Sequence, residues 1–133
     1  MNVTTYVFFN GTCEEAFGFY AKTFGAKIEA LGRYGGSPGA DKVPAGMQDK
    51  IIHGRLVVGE TTIMASDSPS YAKPQGYSLS LDVGSEAEAE RVFQALAGGG
   101  EVRMPLQQTF FAKRFGMVTD RFGIPWMVTA GTA

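Results

Sequence analysis

The histidine at position 53 is the side chain of this sequence best suited to acid–base chemistry. Imidazole is the side-chain group that gains and loses a proton near neutral pH, and His53 stands near the start of a predicted strand. It could serve as a general base or hydrogen-bond a ligand. The simpler interpretation is a half-buried strand histidine bonded to the backbone.

Side chains that bind metals are few. With one His and one Cys, the chain cannot by itself supply two imidazoles, a thiolate cluster or an internal disulfide. The 13 Asp and Glu residues are scattered over predicted helices, loops and strand ends, without the spacing of an oxygen cage. We therefore predict no metal site and no cofactor, and we interpret Cys13 as a small residue near a helix start.

Aromatic and methionine side chains are abundant, with 10 Phe, 6 Met and 1 Trp. Taken one at a time, each is most simply explained by core packing. Together they predict a soft apolar pocket for a planar or aromatic small molecule, with a glutamine among its polar contacts. The predicted ligand-binding residues are Met64, Gln108, Phe110, Phe111, Trp126 and Met127.

Length and charge limit the classes of function. A chain of 133 residues is expected to form one domain with its own core. Because the net charge is −1, no strong positive field exists, and nucleic acid is not an expected partner. The first residues do not resemble a signal peptide, and no stretch approaches the roughly 20 apolar residues that span a bilayer. We expect no membrane contact and a cytoplasmic protein, in agreement with the lone cysteine.

The two halves of the sequence predict the same succession of elements. Ser85 followed by Glu88 predicts a capped start for the second helix, as Asn10 or Thr12 does for the first. The predicted elements are strand 3–9, a helix within 10–26, strand 26–34, loop 35–50, hairpin 51–67, strand 77–83, a helix within 85–100, and strands within 101–104, 107–120 and 122–130.

This succession is a repeated βαβββ module of the α+β class. An offset of 74 residues places Phe93 on Phe19 and Gly99 on Gly25. The predicted module 1 covers about 1–67, the linker 68–76 and module 2 about 77–133, within a single domain. Each module exposes one face of its sheet, so pairing the two sheets is expected to enclose a concave space that serves as the ligand pocket.

Two connecting segments stand out. Loop 35–50 is longer than most connections and contains Gly and Pro, which is typical of either a lid or a disordered insertion. Asp120 lies in a turn between two strands, where an aspartate more simply caps the turn than performs acid chemistry.

The segment 115–127, FGMVTDRFGIPWM, combines two Phe-Gly pairs, a Thr-Asp turn and a Pro-Trp pair. With the βαβββ repeat, it resembles the vicinal oxygen chelate superfamily of glyoxalases, dioxygenases and bleomycin-resistance proteins. Within it the chain resembles the PhnB-like branch, also labelled 3-demethylubiquinone methyltransferase-like. The resemblance implies curved mixed sheets with helices outside, and a homodimer.

The superfamily's enzymes hold a divalent ion with His and Glu side chains on inward-facing strand positions. Carried over by resemblance, the corresponding positions here are Thr5, Met64, Tyr77 to Leu79, and Met127, and none is a strong ligand for a hard cation. The resemblance thus implies a metal-free protein that binds a small apolar or aromatic molecule.

A divalent-metal enzyme with atypical ligands, of lyase, isomerase or dioxygenase type, remains the alternative. A purely structural role is a third. A methyltransferase is the least supported, because the sequence lacks a strand-Gly-x-Gly-x-x-Gly-helix element for its cofactor.

Overall fold

The computed structural model describes residues 1–132. These residues form two compact units, one from Met1 to Ala72 and one that begins at Lys73. The unit boundary lies within the segment 68–76 that the sequence assigns to a linker. Each unit contains a four-stranded mixed sheet and an α-helix, so the α+β class and the repeated βαβββ order are confirmed.

The elements of the first unit are β1 (Thr5–Phe9), α1 (Cys13–Phe24), β2 (Lys27–Arg33), β3 (Ile51–Val58) and β4 (Thr61–Asp67). Its strands lie in the order β1-β4-β3-β2, with β1 parallel to β4 and the other neighbours antiparallel. The predicted hairpin 51–67 is confirmed. Loop 35–50 is built from hydrogen-bonded turns, including a 3₁₀ turn at Ala40–Lys42.

The elements of the second unit are β5 (Leu79–Val83), α2 (Glu86–Ala97), β6 (Glu101–Gln107), β7 (Arg114–Thr119) and β8 (Pro125–Ala130). The strand order β5-β8-β7-β6 repeats that of the first unit, again with a parallel pair, β5 and β8, at one edge. Within residues 1–132, no helix is long and apolar enough to cross a membrane.

The start of α1 is capped from a distant strand. Thr12 is the N-cap residue, one of the two predicted, but its side chain makes no capping hydrogen bond. Instead, the buried carboxylate of Asp67, at the end of β4, accepts a hydrogen bond from the N–H of Cys13 at 2.9 Å. Its other oxygen accepts from the N–H of Ile51 at 2.9 Å. One aspartate therefore fixes the starts of both α1 and β3, because it satisfies a buried N–H group of each.

The start of α2 follows the predicted pattern more closely. The Ser85 hydroxyl accepts a hydrogen bond from the N–H of Glu88 at 3.1 Å. The Glu88 carboxylate turns back to accept from the N–H of Gly84 at 3.2 Å, one residue before the usual partner of a capping box. The predicted cap residue of α2 is therefore confirmed.

A phenylalanine of each helix packs directly on a glycine of its sheet. A Cβ added at Gly54 in β3 would lie 3.0 Å from Cε2 of Phe17 in α1. The second unit repeats this contact more tightly, because a Cβ at Gly116 in β7 would lie 2.6 Å from Cε2 of Phe93 in α2. These glycines let each helix approach its sheet closely.

The phenylalanine–glycine contact corrects one detail of the repeat. The structural counterpart of Phe93 is Phe17, and the predicted pairing of Phe93 with Phe19 is wrong. The offset of 74 aligns the glycines that follow the two helices, Gly25 and Gly99, which both have left-handed backbones. The buried faces of the helices correspond two residues away from that offset, because packing against the sheet decides which side chains face inward.

We predict that Gly116→Ala lowers the free energy of unfolding by about 2–3 kcal/mol, because the new methyl group would overlap Phe93 and the backbone of Leu106. Gly18→Ala in α1 is the matched control. Its Cβ would meet no heavy atom within 4 Å, so it is expected to raise stability by about 0.5–1 kcal/mol. Urea denaturation measures both, and equal effects of the two substitutions would contradict the contact.

Candidate functional site

Strand periodicity decides which side chains of the first unit lie on the sheet face away from α1. Val7 and Phe9 of β1 are buried, and Phe9 packs edge-on against Phe17 of α1 at 6.3 Å between ring centroids. Successive side chains of a strand alternate between faces, so Tyr6 and Phe8 lie on the opposite face. We call this the open face of the first unit.

The prediction that Thr5 occupies the metal-ligand position of the first strand is wrong. Thr5 is paired with Ile63, which is buried on the helix side, whereas Met64 is paired with Tyr6. A shift of one residue moves a side chain to the other face of the sheet. The open-face position beside Met64 is therefore Tyr6.

His53 also lies on the open face of the first unit, in β3. It is half-buried, as predicted, and its ring centroid lies 6.1 Å from that of Tyr6. Within residues 1–132 its imidazole makes no hydrogen bond, so the predicted bond to the backbone is not formed. A general base is normally oriented by such a bond. A catalytic role for His53 stays a prediction.

The second unit has a concave cavity of about 670 Å³. Met117 of β7 is paired with Met127 of β8, and both methionines line this cavity. It is lined by Lys73, Pro74, Gln75, Gly76, Tyr77, Ser78, Arg103, Met117, Val118, Thr119, Gly123, Pro125, Trp126 and Met127. A volume of this size suits a small organic molecule.

The charges around this cavity have one sign. Lys73 and Arg103 contribute two cationic side chains, and hydroxyl groups come from Tyr77, Ser78 and Thr119. Among residues 1–132, no Asp or Glu lines the cavity. It is therefore a concavity of mixed polarity in which the charged side chains are cationic.

Trp126 borders the cavity, but it alternates with Met127 along β8, so its ring lies on the buried face of the sheet. The residue is 3% exposed, and its indole N–H donates to Oδ2 of Asp120 at 2.8 Å. The other oxygen of Asp120 accepts from the N–H groups of Phe122 and Ile124, at 2.9 and 3.0 Å. The predicted turn-capping role of Asp120 is confirmed, and it also fixes the indole ring.

Four of the predicted binding residues lie outside the lining of this cavity. Met64 is one of them, on the open face of the first unit. Gln108, Phe110 and Phe111 stand in the connection between β6 and β7, and Phe110 is 94% exposed. Phe111 packs edge-on against Phe115 at 5.0 Å between ring centroids. Phe115 shares a sheet face with Met117, so these rings continue the apolar surface beyond the cavity. Their part in binding a ligand stays a prediction.

The residues at the expected metal positions do not fit a divalent cation. The open-face side chains there are the phenol of Tyr6, the thioethers of Met64 and Met127, and the hydroxyl of Ser80, which is the β5 residue paired with Met127 and lies just after the predicted Tyr77 to Leu79. Hard cations prefer carboxylates and carbonyl oxygens, and zinc prefers imidazole and thiolate. In the part of the chain that the structure describes, no three His, Cys, Asp or Glu side chains lie close enough to hold a metal.

The comparisons with known proteins agree with this architecture. The family model described as 3-demethylubiquinone-9 3-methyltransferase matches residues 1–129. The chain belongs to this family. Protein YjdN of Escherichia coli is 36% identical over 96% of this chain and 94% of its own length.

Two solved structures of bacterial proteins are similar throughout. Protein PA1353 of Pseudomonas aeruginosa is 49% identical, covers 100% of this chain and 99% of its own, and has a TM-score of 0.88. A protein of Bacillus cereus described as a putative 3-demethylubiquinone-9 3-methyltransferase, PhnB, is 30% identical, covers 98% and 100%, and has a TM-score of 0.83.

The fold extends to more distant proteins. The fosfomycin resistance protein FosX of Listeria monocytogenes has a TM-score of 0.70 at 12% identity, over 99% of this chain and 94% of its own. At that identity the likeness concerns the fold alone. The family match and the PhnB structure confirm the PhnB-like branch, and the likeness to FosX shows that the fold is shared.

The two cationic residues at the cavity, Lys73 and Arg103, were not predicted from the sequence. Arg103 lies in a predicted strand, and the offset of 74 residues pairs it with Glu29, a residue of opposite charge. This reversal of charge between equivalent positions of the two modules is the sequence signal that could have identified Arg103. Lys73 lies in the linker segment, where nothing in the sequence distinguishes it from a solvated side chain.

Cys13 is excluded as a nucleophile by its surroundings. It is fully buried at the start of α1, and burial, helped by the negative charges of Asp67 and Glu14, raises the pKa of its thiol to about 12. At pH 8 about one thiol in ten thousand is then ionised in the folded protein.

We predict that native Cys13 reacts with iodoacetamide at pH 8 about a thousandfold more slowly than it does in the urea-unfolded chain, because only the thiolate attacks. Mass spectrometry follows the alkylation over time. Rapid labelling of the folded protein would contradict the buried position.

Asp120→Asn should lower stability by about 2–3 kcal/mol, because an amide N–H₂ cannot accept the hydrogen bond of Trp126. It should also change the fluorescence of this single tryptophan. Asp82→Asn, the same chemical change on an exposed residue of β5, should cost less than about 0.5 kcal/mol. Urea denaturation followed by fluorescence compares them, and unchanged stability of Asp120→Asn would refute the positioning role.

Proposed function

We propose that this member of the PhnB-like family binds a small, planar and largely apolar molecule in the cavity of the second unit, without a metal ion. The observation that carries the proposal is the composition of the cavity floor. The thioethers of Met117 and Met127 lie side by side on the open face of β7 and β8, in a concavity of about 670 Å³ that Pro125 also lines.

The chemistry of this lining supports binding of a flat apolar surface. Methionine is flexible and polarisable, so its thioether can adapt to a ring placed against it. Trp126, held by Asp120, packs on the buried face of the sheet and so supports the strand that carries Met127. Hydroxyl groups of Ser78 and Thr119 can orient a polar substituent.

The same lining supports binding rather than catalysis. Among residues 1–132, neither a histidine nor a carboxylate, the side chains that most often act as general bases, lines this cavity. Cys13 is buried at the start of α1, and His53 belongs to the sheet of the first unit.

We also propose a homodimer in the cytoplasm. The proposal of a homodimer is based on the superfamily resemblance, and that of a cytoplasmic location on the lone cysteine. Light scattering on the purified protein tests whether it is a dimer. Metal analysis of the same preparation tests the metal-free state, and a stoichiometric divalent ion would favour the alternative of a metal-dependent enzyme.

Binding is tested with 2-naphthoate and protein labelled with ¹³C at its methionine methyl groups. With about 13 non-hydrogen atoms, this probe should gain about 4 kcal/mol and bind with a millimolar dissociation constant. We expect the methyl signals of Met117 and Met127 to shift on titration and that of Met47, in loop 35–50, to stay. A shift of Met64 would show that the open face of the first unit also takes part.

The repeat offers a matched pair of variants for this titration. Met64 and Met127 occupy equivalent positions in β4 and β8. We expect Met127→Gln to weaken binding of 2-naphthoate about three- to tenfold, through lost apolar contact, and Met64→Gln to leave it unchanged. Absence of any shift at Met117 and Met127 at several millimolar probe would overturn the proposed site.

A further inference from the structure

We propose that the molecule bound in the second unit carries an oxyanion, a carboxylate or a phosphate group, which Arg103 binds with the help of Lys73. This inference rests on the proposed function, because it concerns the same cavity and names the chemical class of its ligand. It makes Arg103 the residue that selects an anionic ligand over a neutral one.

The charge of the cavity lining favours an anionic ligand. Over the whole chain acidic residues outnumber basic ones, 13 to 12. The cavity reverses this balance, since it has Lys73 and Arg103 but, among the described residues, no acidic side chain. A concave surface with charges of one sign attracts a small ligand of the opposite sign.

A bulge in β6 positions Arg103. On β6, Val102 pairs with Val118 and Met104 pairs with Met117, so Arg103 is an extra residue without a partner of its own. A β-bulge of this kind redirects the side chain of the extra residue. Here the guanidinium reaches the open face, where Nη1 lies 3.4 Å from Oγ1 of Thr119.

The first unit contains the same bulge with its charge neutralised. On β2, Ile28 pairs with Leu56 and Ala30 pairs with Arg55, so Glu29 is the extra residue. Its Oε1 lies 3.4 Å from Nε of Arg55 on the neighbouring strand. In the first unit, the negative charge at the bulge is therefore neutralised by a residue of the same unit.

In the second unit, that balance is missing. The position equivalent to Arg55 is occupied by Met117, which has no charge. Within residues 1–132, Arg103 forms no ion pair, and its hydrogen bond to Thr119 at 3.4 Å is long. Several guanidinium N–H groups therefore remain available beside the two methionines of the cavity.

The arrangement fits an amphipathic ligand. A planar guanidinium donates two parallel hydrogen bonds to a carboxylate or phosphate, and Lys73 adds a second positive charge. The ring system of the same ligand would lie on Met117 and Met127. The oxyanion supplies the counter-charge that Glu29 receives from Arg55 in the first unit.

Isothermal titration calorimetry with three probes tests this inference: 2-naphthoate, 2-naphthyl phosphate and the neutral 2-naphthamide. We expect one or both anions to bind at least about tenfold more tightly than the amide, and to lose that advantage as sodium chloride rises from about 50 to 500 mM. Binding of one anion alone identifies the oxyanion as carboxylate or phosphate.

Variants separate the role of Arg103 from a general effect of charge. Arg103→Gln should lower the affinity for the two anions to that for the amide, and should leave the affinity for the amide unchanged. Arg103→Lys should retain part of the preference for the anions. Arg91→Gln removes the same charge from an exposed position on α2 and should change no affinity.

The outcomes distinguish the two proposals. If the amide binds as tightly as the anions, or if Arg103→Gln has no effect on them, the inference is overturned while the binding cavity stands. If none of the three probes binds at millimolar concentration, the proposed function fails, and the inference fails with it.

Discussion

The close contact between a helix phenylalanine and a strand glycine determines which face of the sheet in each unit is buried and which is left open. Phe17 lies on Gly54 and Phe93 on Gly116, which brings α1 and α2 down onto their sheets. Since the helix covers one face, the alternation of side chains commits every second strand residue to the core and leaves the others on the open face. The candidate site residues are the ones on that open face.

The two units share this construction but differ in the side chains that they expose. The first places Tyr6, Phe8 and His53 on its open face and pairs Glu29 with Arg55. The second places two methionines there and leaves Arg103 without a carboxylate partner in the described chain. Because the backbone around the two bulges is equivalent, the difference in charge resides in the side chains.

One buried aspartate in each unit connects separate segments of the backbone. Asp67 uses its carboxylate oxygens to bind the starts of α1 and β3, and Asp120 uses its own for the turn before β8 and the indole of Trp126. A buried carboxylate is stable when such donors surround it. Both residues therefore position other groups, and their oxygens are not directed at a ligand.

Much of this fold could be predicted from the sequence, because its local patterns are strong. Ser85 with Glu88 predicted the start of α2, and the repeated succession of strand and helix patterns predicted two βαβββ modules. The face of Thr5 was predicted wrongly, because the register between β1 and β4 depends on contacts nearly sixty residues apart. The cap from Asp67 and the bulge at Arg103 are also long-range features, which local propensity does not encode.

A crystal structure of the protein with 2-naphthoate tests the central claim most directly. The cavity proposal predicts electron density for the naphthalene ring against Met117 and Met127, with the carboxylate within about 3 Å of the Arg103 guanidinium. Density for the probe elsewhere in the molecule, with this cavity filled by solvent, would contradict it.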